Sequence, residues 1–391
     1  RPLPIRALSV SLRYLDLAGP DVTLPANASQ GDYIWDIAAT LHRETGSGLA
    51  LDPATLFAEL PDDQEQAMDL LIKRCQDGLG TEKYAVVFDA GLDALVADIR
   101  GDLEQFGVTF DQWFSERELV SSSAINDAIE VLKVNDKLYQ SEGAWWFRSS
   151  DYGDEKDRVV LRANGQHTYF AADIAYHLQK VQRGYDQLIN IWGADHHGYV
   201  ARVKAAFEAM GQDPDALTVL LVQFAVLYRG GEKVSMSTRG GDFVTLRELR
   251  EEVGTDAARF FYVMRKSEQH MDFDLDLAKS QSSDNPVYYV QYAHARICSV
   301  FRQLEEKDVV LDGEANATLL VEKHETELMT ELARYPEVLE RAARDYAPHQ
   351  LAYYLRDLAH AFHTYYNAHP FISAEESMRH ARSHTCHRTE A

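Results

Sequence analysis

The sequence predicts an α/β region followed by an all-helical region, with the change of class between Ser280 and Asn285. Three observations predict it. Upstream of Ser280, short apolar runs alternate with amphipathic segments of helical length, the pattern of strands joined by crossover helices. Beyond Asp284 no strand-like run recurs, and apolar residues repeat every three or four positions. The length of 391 residues suits two or three domains, each able to bury its own core.

Residues 33–44 (YIWDIAATLHRE) and 61–77 read as amphipathic helices, the second opening on Pro61 and closing at Gly78. YAVVFD at 84–89 reads as a strand, 92–106 as a helix and GVTFDQWF at 107–114 as a second strand. In the central third, Gly165 precedes a helix over 168–183 that Gly184 closes. A buried strand over 188–192, a helix over 199–210 capped by Gly211, and an apolar strand over 219–228 follow. Pro286 then opens a helix whose apolar stripe is Val290, Ala293, Ile297, Val300 and Leu304. Further amphipathic helices are expected over 319–333 and 349–366.

Composition narrows the class. Hydrophobic residues at 46% and charged residues at 26% are ordinary globular usage, which excludes disordered, collagen-like and coiled-coil chains. Cys75, Cys298 and Cys386 are too scattered for a disulfide framework or a zinc site, and fit a reducing cytoplasm. The longest apolar stretch, 217–228, is interrupted by Thr218 and Gln223 and falls short of the ~18 residues of a membrane span. Residues 1–12 lack the apolar core of a signal peptide, and the chain starts at Arg1, as a piece of a longer chain would. With 39 Lys and Arg against 62 Asp and Glu, the net charge of −23 argues against a nucleic-acid partner. That argument concerns the whole surface, whereas binding uses one patch.

Three segments could carry chemistry. INIWGADHHG at 189–198 is a strand running into a glycine-flanked Asp195, His196 and His197 at the start of a helix. In parallel α/β sheets, ligands sit beyond the carboxyl ends of strands, and helix N-termini receive anions. In a bland reading Asp195 only caps the helix. In a metal reading the three residues are ligands, although adjacent helical histidines point about 100° apart. In the preceding helix Tyr169 and Asp173 lie four apart, on one face. A carboxylate beside a phenol suits a cationic group such as guanidinium, against the alternative of a core tyrosine and a solvated aspartate. Finally, RGGEKVSMSTRGGDF at 229–243 combines four glycines, hydroxyl side chains and the cations Arg229, Lys233 and Arg239. Exposed backbone amides with hydroxyls and cations suit a phosphate-gripping loop.

On these segments the chain resembles the arginyl-tRNA synthetases, which are class I aminoacyl-tRNA synthetases. The resemblance is carried by DYGDEKDRVVLR (151–162), TYFAADIAYH (168–177), NIWGADHHGYV (190–200), VSMSTRGGDFVTLREL (234–249), DAARFFYVMRKS (256–267) and NPVYYVQYAHAR (285–296), with QGDYI (30–34) and FDQWFSE (110–116). It implies an incomplete Rossmann-like catalytic core over 1–282 and an all-α anticodon-binding bundle over 283–391. By the same resemblance Tyr169 and Asp173 hold the arginine side chain, and Gly193, Asp195 and His196 meet the ATP adenosine. Ser235, Met236 and Ser237 match the mobile signature loop. Ser235 and Thr238 stand where that signature carries lysines, which leaves Lys233 or Arg239 to supply charge to the pyrophosphate.

The implied reaction has two steps. The arginine carboxylate attacks the α-phosphorus of ATP, with Mg2+ as companion ion, and the terminal ribose hydroxyl of tRNA(Arg) then attacks the arginyl adenylate. The implied partners are tRNA(Arg), L-arginine and ATP, with no membrane and a monomeric, cytoplasmic enzyme. The family's other signature, His-x-Gly-His, is nowhere in this sequence; HAFH at 360–363 lacks the glycine. The chain by itself is therefore expected to be inactive. Residues 1–7 and 373–391 do not resemble the family, and the tail's His380, His384, Cys386 and His387 read as solvated rather than metal-binding. Two alternatives stand beside this reading: a tRNA-binding fragment or paralogue without catalysis, and a metal-dependent phosphoesterase using Asp195, His196 and His197 with Asp89 as a distant partner. The helical end is nearly neutral, so tRNA is expected to approach there.

Overall fold

The computed structural model describes residues 2–19, 22–234, 244–310 and 315–390. They form two compact units, Arg1–Thr109 and Phe110–Ala391.

The first unit consists of α1 (Pro2–Ala18), α2 (Tyr33–Thr45), α3 (Pro53–Leu56) and α4 (Gln64–Gln105). Leu8, Leu12 and Leu15 of α1 recur at helical spacing and are buried with Ile34 of α2 and Met68 and Leu71 of α4. Each such leucine contributes roughly 2 kcal/mol of burial. The Tyr14 hydroxyl, inside this core, meets Thr45 Oγ1 at 2.9 Å and donates to the Gly46 carbonyl, which fixes the end of α2.

Here the sequence reading needs correction. YAVVFD lies within α4, and 107–114 forms no strand, so the expected strand-helix-strand unit is absent. The reason is spacing: Tyr84, Val87, Phe88 and Gly91 fall at i, i+3, i+4 and i+7 and line the side of α4 that joins the core. Val86 is 46% exposed beside the buried Val87. A six-residue apolar run cannot distinguish strand from helix by itself. Likewise, α4 starts not at Pro61 but at Gln64, where Asp63 accepts from Gln66 N at 2.9 Å. Its helical path breaks at Gly80, φ 70°, rather than at Gly78.

The second unit opens with α5 (Glu116–Ser121) and α6 (Ala124–Val134), followed by an antiparallel sheet of β1 (Leu138–Ser141), β2 (Ala144–Phe147) and β3 (Arg158–Leu161). Next, α7 (Tyr169–Gln182), β4 (Leu188–Gly193), α8 (His197–Ala209) and β5 (Leu217–Val222) bring the parallel element the sequence pattern implied. β4 and β5 pair in parallel from Leu188↔Leu217 to Gly193↔Val222. Thr168 caps α7 by accepting from Ala171 N at 3.3 Å, and Gly184 follows it with φ 82°.

The single strand expected over 219–228 is two strands in two sheets. β6 (Ala225–Arg229) pairs with β7 (Glu232–Lys233) and, after α9 (Leu246–Val253) and α10 (Thr255–Val263), in parallel with β8 (Met271–Asp274). Gln223 N leaves the ladder to donate to Ser267 O at 2.8 Å, which separates β5 from β6.

After α11 (Leu275–Lys279) the chain is helical: α12 (Pro286–Glu305), α13 (Lys323–Arg344), α14 (His349–Ala368) and α15 (Glu376–Glu390). Asn285 caps α12 by accepting from Val287 N at 3.1 Å. Ala293, Ile297, Val300 and Leu304 are buried as their spacing predicts, against Leu328, Leu358, Phe362, Tyr365 and Cys386. Most of the tail is not solvated, although His387 stays exposed. In α15, Ala381, Arg382, Ser383, Thr385 and Cys386 are buried. Arg382 forms an ion pair at 2.9 Å with Glu325, which has no exposed surface.

Candidate active site

The site is assembled where the carboxyl end of β4 meets one face of α7 and the start of α8. Tyr169 and Asp173 occupy successive turns of α7. Tyr169 is 84% exposed although aromatic, whereas Asp173 is half-buried. An exposed phenol one turn from a partly desolvated carboxylate suits a guanidinium.

The carboxylate of Asp173 is held. Tyr199, on α8, donates its hydroxyl to Asp173 Oδ2. Burial, then the hydrogen bond to Asp173, pushes the Tyr199 phenol well above its ordinary value, so the group remains a donor. The Tyr199 ring packs edge-on against Phe170 at 6.2 Å and tilted against Trp192 at 5.9 Å. The Arg202 guanidinium lies 4.9 Å from its centroid. Arg202 Nε donates to Asp154 Oδ2 at 3.4 Å, and Arg158 grips the same carboxylate with two bonds of 2.7 Å. Those Arg158 bonds hold Asp154 at about 2.

Beneath Asp173 a second network ties α7 to β4. Asp173 O accepts from His177 Nδ1 at 2.7 Å, and Asn190 Nδ2 donates to His177 Nε2 at 2.8 Å. Lys180 Nζ donates to Asn190 Oδ1 at 2.7 Å. This pattern requires neutral His177 with its proton on Nδ1, in keeping with burial, which lowers its pKa. Burial also lowers Lys180.

At the end of β4 the backbone turns at Gly193 into the Asp195 and His196 segment. A Cβ at Gly193 would meet Asp195 Oδ1, so glycine leaves that carboxylate its place. Asp195 and His196 are both about 60% exposed and 3.7 Å apart, open to a ligand. His196 also packs edge-on to Trp192 at 6.4 Å. Thus Asp173, Tyr199, Trp192 and His196 form one chain of contacts, which joins the two groups of residues singled out from the sequence.

Of the loop residues, Lys233 ends β7, is exposed and lies opposite Tyr228. Ser235, Met236, Ser237, Thr238 and Arg239 lie outside the described residues. Arg229, a third cation of that segment, is bound to Glu252 at 2.6 Å. The metal reading finds no ligand set: among the described residues, no three His, Cys, Asp or Glu are grouped to hold an ion. Asp89 belongs to the first unit and is not part of any such group. Sequence reasoning missed Tyr199, Arg202, Asp154 and His177 as site residues. Asp154, His177 and Tyr199 stand inside segments that carry the resemblance and Arg202 lies two residues beyond one, but the contacts of Tyr199 and Arg202 span 26 and 48 residues and follow no local spacing.

Residues 92–293 match the family described as tRNA synthetases class I (R), catalytic domain, and 290–391 match the DALR anticodon binding domain. The second match includes the tail, correcting the expectation that 373–391 departs from the family. The chain is 59% identical over 391 residues to the arginine–tRNA ligase of Thioalkalivibrio sulfidiphilus and 56% identical over 397 residues to that of Hydrogenovibrio crunogenus. Both alignments cover 98% of this chain and 67% of the relative. A solved structure described as an arginyl-tRNA synthetase of Campylobacter jejuni aligns with TM-score 0.81 and 31% identity, over 99% of this chain and 78% of that one.

Proposed function

The chain belongs to the class I arginyl-tRNA synthetases, the ligases that join arginine to tRNA at the expense of ATP, and from that premise we propose how its residues divide the work. Asp173 receives the guanidinium of arginine and Tyr169 flanks it. Gly193, Asp195 and His196 receive the adenosine of ATP. Lys233 and the segment bearing Ser235, Met236, Ser237 and Arg239 serve the phosphates. The observation that carries this reading is the chain of contacts from Asp173 through Tyr199 and Trp192 to His196, which brings that carboxylate beside the end of β4.

Little covalent chemistry falls to the protein in this scheme. Asp173 and Tyr169 fix one end of arginine so that its carboxylate stands in line with the α-phosphorus, which is catalysis by orientation. Pyrophosphate leaves as the adenylate forms, and cations of the loop offset its charge. The terminal ribose hydroxyl of tRNA then displaces AMP from the adenylate. Mg2+ enters with ATP: the described residues offer no cage of three ligands, and a magnesium ion held chiefly by phosphates requires none. We assign residues 1–282 to the catalytic part and 283–391 to the anticodon-binding part of a monomeric, cytoplasmic enzyme. No described helix is long and apolar enough to cross a membrane. The phosphoesterase alternative and that of a paralogue without catalysis are not favoured, given ligase relatives at 54–59% identity over nearly the whole chain.

Residues 1–391 contain no His-x-Gly-His, and we propose that by themselves they do not activate arginine. Arginine-dependent ATP/pyrophosphate exchange with tRNA present tests this. A chain extended upstream to the length of its relatives is expected to exchange, and residues 1–391 are not. Robust exchange by residues 1–391 refutes the need for the motif, and no exchange by the extended chain refutes the assignment of the site.

A further inference from the structure

We propose that Tyr199 is a positioning residue for arginine recognition: its hydroxyl fixes the Asp173 carboxylate, and the Asp154, Arg158 and Arg202 cluster holds Tyr199 in place. The proposal rests on the reading of Asp173 as the guanidinium partner and extends it to residues that have no assigned role.

The geometry points this way in three steps. A half-buried aspartate on a helix can turn about χ1 and χ2, and a guanidinium pair needs its plane fixed, since bidentate bonding is directional. Tyr199 is the side chain that donates to it, at Oδ2. A carboxylate has about four lone-pair positions, so one phenol bond still leaves both oxygens able to receive arginine. Tyr199 is itself confined by the Phe170 and Trp192 rings and by the Arg202 guanidinium. Arg202 in turn lies against Asp154, whose carboxylate is 5% exposed and gripped by Arg158. The two arginines are thereby engaged with Asp154 rather than with Asp173. That leaves Asp173 to the ligand, and the segment at 151–162 gains a function three contacts from Asp173, through Arg202 and Tyr199.

The test is ATP/pyrophosphate exchange in the chain extended upstream, with the KM for arginine and for ATP measured separately. Tyr199→Phe keeps the ring and removes only the donor. It is expected to raise the arginine KM roughly tenfold, as loss of one hydrogen bond to a charged group does, with kcat and the ATP KM within about twofold of the parent. Asp154→Asn, two contacts further away through Arg202, is expected to raise the same KM about two- to threefold. The pair Asp173→Asn and Tyr199→Phe supplies a readout that a merely structural tyrosine would not give. If Tyr199 acts through Asp173, the double variant is no worse than Asp173→Asn alone. Multiplying effects, or an unchanged arginine KM in Tyr199→Phe while Asp173→Asn raises it, overturn the proposal. An unchanged KM in Asp173→Asn overturns the arginine-site reading itself, and the proposal with it.

Discussion

Replacing Arg382 with methionine tests whether the last helix is an integral part of the bundle. Glu325, at the first turn of α13, is fully buried, and the Arg382 side chain is 7% exposed. Arg382 Nε donates to Glu325 Oε1 at 2.9 Å, and Nη1 donates to Pro370 O at 2.7 Å. In the variant, Glu325 keeps only the Tyr365 hydroxyl at 3.3 Å and its own capping contact with Glu322 N at 3.0 Å. Removing one partner of a buried pair costs about 3–5 kcal/mol, because the remaining charge is left without its counter-ion. Through local opening, 3 kcal/mol corresponds to roughly a hundredfold faster amide exchange across 376–390. Hydrogen exchange read by mass spectrometry on peptides from α13 and α15 measures it. Adding Glu325→Gln to Arg382→Met removes the orphaned charge while keeping a cap acceptor, and should restore most of the protection. Less than a fivefold change in Arg382→Met would refute the reasoning, as would failure of the second substitution to recover any protection.

Two further outcomes follow from the same structure. Ser383 has no exposed surface, and its Oγ has no hydrogen-bond partner among the described residues; Ser383→Ala is therefore expected to stabilise α15 by about 1 kcal/mol, read as slower exchange over 376–390, and faster exchange would contradict it. Arg158 holds Asp154 at about 2 against an ordinary 3.8, so folding gains about 2 kcal/mol from this group above pH 3.8, and the gain disappears as pH falls toward 2. Asp154→Asn should accordingly flatten the acid limb of a stability–pH curve, and an unaltered limb would place the acid sensitivity elsewhere.

The buried polar atoms of the tail also bear on its chemistry. The His380 and His384 rings lie tilted with centroids 4.8 Å apart, and Nε2 of each is buried without a hydrogen-bond partner among the described residues. Together with Ser383, they put polar groups on a helix face that packs into an apolar bundle. Burial, and then the neighbouring His380, keeps His384 below its ordinary pKa. The helix is held against this cost by Arg382 and by the burial of Ala381 and Cys386.

Local sequence alone settled much of the architecture. The spacing of Val290 to Leu304, the caps at Thr168 and Asn285, and the glycines at 184 and 211 each encode an element within a few residues of themselves, because helix caps and apolar stripes are short-range features. The pairing of Tyr169 with Asp173 was legible for the same reason, being one helical turn. Other features depended on contacts distant in sequence. YAVVFD is a helix because its apolar residues meet the core shared with α1, and 219–228 is two strands because Gln223 bonds to Ser267. The tail is a buried helix because Arg382 finds Glu325, 57 residues away. Tyr199 joins the site because α8 returns beside α7, bringing a phenol 26 residues distant to Asp173. The sequence by itself determined the class and the order of most elements, and supplied the residues proposed to face the ligand. Tertiary structure alone decided which runs were strands and what holds the site rigid, since burial and charge pairing are properties of neighbours in space.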